Sequence, residues 1–109
     1  MAIGYGFNER VVQGISLVNS FIQGAGTVGT TAVSLSGTPT NIKWVVVESD
    51  HDNTGDIWVG NSSVANSGNN RGLRLAPGQN ITLPVDDLTD VYVIGSASGQ
   101  VYLYLAGIP

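Results

Sequence analysis

From residue 30 to the C-terminus, apolar and polar residues alternate with a period of two, and Gly, Pro, Asn or Asp breaks the alternation about every ten residues. A chain patterned this way cannot bury a helical stripe, so it must bury sheet faces. "TAVSLSG" alternates and stops at Gly37, with "TPTN" as a turn behind it. "NIKWVVVESD" is a nearly continuous β-branched and aromatic run, which reads as a strand buried on both faces. "DIWVGN" is a short strand, and "SSVANSGNNRG" is a loop by composition. "LRLAPGQNITLPV" reads as two short strands around a Pro77-Gly78 turn, and "DVYVIGSASGQVYLYLAG" as a hairpin closed by "GSASGQ". The expectation is an all-β fold. It is a single, jelly-roll-like β-sandwich of about seven to eight short antiparallel strands over residues 29–109.

Residues 1–28 follow a different pattern. Val11, Val12, Ile15, Val18, Phe21 and Ile22 fall at loosely helical spacing behind a possible N-cap, Asn8. Gly14 and the β-branched content weaken a helix, and "ISLVNSF" also alternates partially. The segment therefore reads either as an N-terminal arm packing on a neighbouring subunit or as an ordinary first strand, with "GAGTVGT" as a glycine-rich join. Val11, Val12, Ile15, Leu17, Phe21 and Ile22 are the interface candidates.

Charge narrows the possible partners. Only 11% of residues are Asp, Glu, Lys or Arg, against about 25% in ordinary soluble domains. A chain this neutral and yet 42% hydrophobic fits a subunit that buries surface against copies or partners. Four basic residues and a net charge of −4 argue against nucleic acid and against anionic membrane surfaces. With no cysteine, disulfides, thiolate catalysis and zinc-thiolate sites are excluded. No apolar run is long enough to span a bilayer, and the start lacks the features of a secretory leader. Assembly inside a cell is the expectation.

The one crowded stretch is "ESDHDNTGDIWVGN", with four acids and the single histidine. Asp50, Asp52, Thr54 and Gly55 match the first half of an EF-hand loop, but the twelfth position is Asn61 instead of Glu, and a strand follows. A looser cation site on Asp50, Asp52 and Asp56 is the metal candidate. The preferred reading is a solvated hairpin tip, in which Asn53 and Gly55 accept left-handed conformations. His51 lacks any nucleophile-elbow sequence to serve. Asp86, Asp87 and Asp90 in "PVDDLTD" are read as a bend rather than an acid/base pair. Gly24, Gly26 and Gly29 spell G-x-G-x-x-G without the βαβ context that gives it meaning. The sequons at Asn61 and Asn80 carry no weight without secretion. Trp44, Trp58, Tyr92, Tyr102 and Tyr104 are weighed as a sugar-stacking platform against a cross-strand aromatic cluster or a subunit contact. No catalytic residue and no cofactor is expected.

"DNTGDIWVGNSSV", followed by "GLRLAPGQNITLPVDDLTDVYVIGSASGQVYLYLAG", resembles small β-sandwich proteins encoded among the virion genes of tailed bacteriophages. The likeness covers roughly residues 40–106 and rests on structural motifs, with no active-site residue to carry across. It implies a non-enzymatic virion protein, most directly a capsid decoration (cement) protein that binds the major capsid protein, commonly as a trimer. The alternative it implies is a neck, tail or fibre accessory with a receptor- or carbohydrate-binding sandwich. Either would assemble in the host cytoplasm and reside on the virion.

Overall fold

The computed structural model describes residues 17–109. In chain order the strands are β1 (Ser20–Val28), β2 (Val33–Ser34), β3 (Trp44–Ser49), β4 (Ile57–Gly60), β5 (Leu73–Leu75), β6 (Asn80–Leu83), β7 (Tyr92–Gly95) and β8 (Gln100–Ile108). A 3-10 turn, Leu88–Asp90, lies between β6 and β7. Two four-stranded antiparallel sheets result, one in the order β1-β8-β3-β6 and the other β2-β7-β4-β5.

This order has a simple origin. Ser20 pairs with Ile108, Val33 with Val93, Val45 with Leu83 and Ile57 with Leu75, so the midpoint of every pair lies between residues 63 and 66. The chain is thus one long hairpin folded about the polar loop 61–72, and that hairpin is rolled so that successive pairs fall into alternate sheets. Eight strands rolled this way are a jelly roll. Val45 and Val47 from β3, Ile57 and Val59 from β4, Val93 and Ala106 meet between the sheets and are at most 3% exposed.

Several local readings change. β3 and β4 lie in different sheets, as do β7 and β8, so neither "SDHDNTGD" nor "GSASGQ" closes a hairpin; both carry the chain across the sandwich. Turn residues report that a chain reverses, and the partner is chosen by the core. The Pro77-Gly78 turn forms as expected, with Gly78 at φ +86° and Gln79 N donating to Ala76 O at 2.9 Å, but it too links the two sheets. β3 is buried on one face only: Val45, Val47 and Ser49 point inward, while Trp44, Val46 and Glu48 are partly exposed.

Of the two readings of residues 1–28, Ser20–Val28 is a first strand, paired along its full length with β8. All of the glycine-rich join but Gly29 and Thr30 lies inside it. Gly24 faces Tyr104 and Gly26 faces Tyr102, and a Cβ on Gly24 would sit 2.5 Å from the Tyr104 ring. The two tyrosines lie across bare backbone and supply the packing that the glycines lack. Val11, Val12 and Ile15 lie outside the described residues.

Candidate functional site

The acidic stretch of residues 48–56 forms the crossover from β3 to β4, and its neutral side chains hold it. β3 leaves its ladder with β8 after Ser49 pairs Tyr102. One residue further along β8, the Asn53 side chain replaces the missing strand. Its Oδ1 accepts from Val101 N at 2.7 Å, and its Nδ2 donates to Val101 O at 2.8 Å and to Ser49 Oγ at 3.0 Å. Gln100 fixes the other half of the loop: its Oε1 accepts from Gly55 N at 2.8 Å, and its Nε2 donates to Ser98 O at 3.0 Å. Ser49 and Gln100 are the two buried polar side chains among the described residues, and both belong to this joint. Left unpaired, either would cost stability, so the bonds define the loop's shape.

Neither Asn53 nor Gly55 adopts a positive φ. Asn53 is present for its amide, and Gly55 because Ser96 Oγ occupies the space a Cβ would need.

The acids remain at the rim. Asp50, His51 and Asp52 bring ligand atoms within 4.8 Å of one another, with His51 Nε2 3.4 Å from an Asp52 oxygen. Asp56, the third member of the expected cation set, turns away toward Arg74, at 3.7 Å. His51 and Asp52 are exposed, so this group has the character of a solvated cluster.

In "PVDDLTD" the three aspartates separate by role. Asp87 caps the 3-10 turn, accepting at Oδ1 from Thr89 N at 3.0 Å and from Thr40 N at 3.1 Å. The Thr89 and then the Thr40 amides hold its carboxyl below the usual range. Asp86 and Asp90 border an open groove shared with Lys43.

The aromatic residues do not converge on one platform. Tyr102 and Tyr104 line the inner side of the first sheet, and burial pushes the Tyr102 phenol above its ordinary pKa. Trp58 and Tyr92 lie on the outer side of the second sheet with Val64 and Ile94. Trp44 lies on the outer side of the first sheet.

The two outer faces differ in what covers them. On the second sheet, loop 61–72 folds back so that Val64 seals Trp58 and Ile94. Asn66 Nδ2 ties the loop down by donating to Gly95 O at 2.9 Å. On the first sheet, the cross-strand register sets out three rows: Phe21–Gly107–Trp44, Gln23–Leu105–Val46 and Ala25–Leu103–Glu48. Val46, Leu103 and Leu105 are only half-buried, and with Gln23, Ala25 and Glu48 they line a groove of about 560 Å³. Glu48 is the only charge in these rows.

Among the expected interface residues, Leu17 and Phe21 are 81% and 62% exposed, and Phe21 belongs to this face. Ile22 points inward and packs on the core. Sequence reasoning weighed Trp44 among the aromatics but did not single out Val46, Leu103 or Leu105. The signal was that "VYLYLAG" is apolar at both parities, so neither face of β8 is suited to water.

The fold and its surfaces therefore define a jelly-roll sandwich with one outer face sealed by its own loop and one apolar face open among the described residues. No protein-family model matches the chain, and no curated protein is significantly similar to it. No helix among the described residues is long and apolar enough to cross a membrane.

Proposed function

We propose that the protein is a non-enzymatic structural component of a tailed-phage virion, a capsid decoration protein that docks on the shell through the outer face of its first sheet. The observation that carries this reading is the apolar face formed by Phe21, Trp44, Val46, Leu103 and Leu105 on a subunit with 11% charged residues. Covering such a surface is favourable at roughly 25 cal/mol per Å² before association costs are subtracted. For Phe21, 62% exposed, complete burial is worth about 1–2 kcal/mol. The sequence resemblance to small virion sandwiches supplies the class of partner, the major capsid protein, and a homo-oligomer, with a trimer favoured, is the expected assembly unit.

The test is co-sedimentation with capsids assembled without the protein. The intact chain should bind to saturation. Leu105→Asp, which places a charge in the centre of the face and leaves the core intact, should bind at least tenfold more weakly, the effect of about 1.4 kcal/mol. Equal binding by Leu105→Asp would remove the face from the account, and no binding by the intact chain would remove the decoration role.

A further inference from the structure

We infer that the shell surface covering the open face of the first sheet brings a lysine or arginine side chain to Glu48, in the third row of that face. The inference deepens the functional reading above and rests on it.

Glu48 is the exception on this face. It lines the groove with Gln23, Ala25, Val46, Leu103 and Leu105, and it is the one charged group among them. The register of β3 sets it between Leu103 on β8 and Asn80 on β6, half-buried and away from the sheet edge. Among the described residues, no hydrogen bond or ion pair reaches its carboxylate. By contrast, Asp87 accepts two backbone amides and Asp56 faces Arg74.

The lysine and arginines among the described residues are all placed elsewhere. Lys43 borders the groove of Asp86 and Asp90, and Arg71 shares a hollow with Arg74 and Trp58 on the second sheet. The crossover that follows β3 supplies only His51, which sits between Asp50 and Asp52.

In the free subunit, water satisfies Glu48. Docking changes that. Once a partner seats on Leu103 and Leu105, water leaves the groove, and an ionised carboxylate deprived of solvent opposes the contact unless a cation meets it. The apolar rows therefore supply the favourable burial, and Glu48 decides which apolar surface is accepted. A second copy of this face is a poor match, because its rows also carry Glu48 and no cation. Val46 and Glu48 are two residues apart on β3, so the cation must lie about 7 Å along the strand from the apolar group that covers Val46.

The test is co-sedimentation with capsids assembled without the protein, between about 0.05 and 0.5 M salt. Glu48→Gln keeps the shape of the side chain and removes its charge. It should bind at least tenfold more weakly than the intact chain at low salt, and its binding should respond less to added salt. Glu48→Lys, which sets a cation against a cation, should bind more weakly still. Asp86→Asn makes the same change of net charge away from this face and should bind like the intact chain. Each variant should melt within about 4 °C of the intact chain, and Glu48→Ser replaces Glu48→Gln should the latter fold poorly. Equal or tighter binding by Glu48→Gln would mean that the partner offers a neutral surface. That result would overturn the inference and leave the docking face, which Leu105→Asp reports, in place. A loss shared equally by Asp86→Asn would be an effect of net charge and would overturn it as well. Failure of the intact chain to bind sinks the decoration role, and the inference with it.

Discussion

Replacing Asn53 by Ala tests whether the acidic stretch is a joint or a site. The substitution removes three hydrogen bonds: two to the Val101 backbone and one to the hydroxyl of Ser49, which is fully buried. At about 1 kcal/mol net for each bond, with an added penalty for the stranded Val101 N–H, the loss is about 2–4 kcal/mol. For a domain of this size that lowers Tm by roughly 10–20 °C. Asn53→Asp should do no better at neutral pH, because a carboxylate cannot donate to Val101 O. The contrasting variant is Asp50→Asn/Asp52→Asn, which removes two of the crowded acids and should change stability by no more than about 0.5 kcal/mol. Both are measured by urea unfolding and calorimetry, with and without millimolar calcium, which should leave Tm unchanged in the intact chain. If Asn53→Ala is neutral while the double asparagine variant is strongly destabilised, or if calcium raises Tm by several degrees, the acids hold the loop and the account of the joint fails.

Gly24→Ala and Gly26→Ala should each destabilise by about 1–3 kcal/mol in equilibrium unfolding, because the new methyl enters the volume of the Tyr104 or Tyr102 ring. Combining Gly24→Ala with Tyr104→Ala should cost less than the sum of the two, which a double-mutant cycle would read. Asp87 has a folded pKa below its unfolded value of about 3.9, so its contribution is present above that pH and is lost as pH falls through the folded value. Asp87→Asn should therefore be less stable than the intact chain at pH 7, and the gap should close as pH falls through the folded pKa of Asp87, as followed by Tm against pH.

Much of the architecture was legible in the sequence, and the misreadings have specific physical causes. Alternation located the strands from Trp44 onward because one face of each is dry and turn residues separate them. It could not give the pairing, since "SDHDNTGD" and "GSASGQ" carry hairpin chemistry while crossing between sheets. The run "WVVVES" imitated a strand buried on both sides because its outer residues, Trp44 and Val46, belong to an apolar face. "GAGTVG" read as a join because glycine alone disfavours a strand. What makes it one is a pair of tyrosines almost eighty residues later, which local sequence does not reveal.

The crossover shows the same limit at the level of single side chains. Its charges attracted attention, but the Asn53 amide and the buried Gln100 determine its form. Nothing in "SGQVY" marks Gln100 as buried, because its partners, Gly55 and Thr54, are brought to it only by the roll of the sheets. The open face was half legible, in the double-sided hydrophobicity of β8 and in the low charge of the whole chain.

The most direct test of the central claim is the position of this chain in a density map of the intact particle. The account predicts the sandwich on the outside of the head, with Leu103, Leu105 and Val46 turned toward the shell or a neighbouring subunit and loop 61–72 toward solvent. A chain found at the tail tip, or on the head with that face open to water, would contradict it.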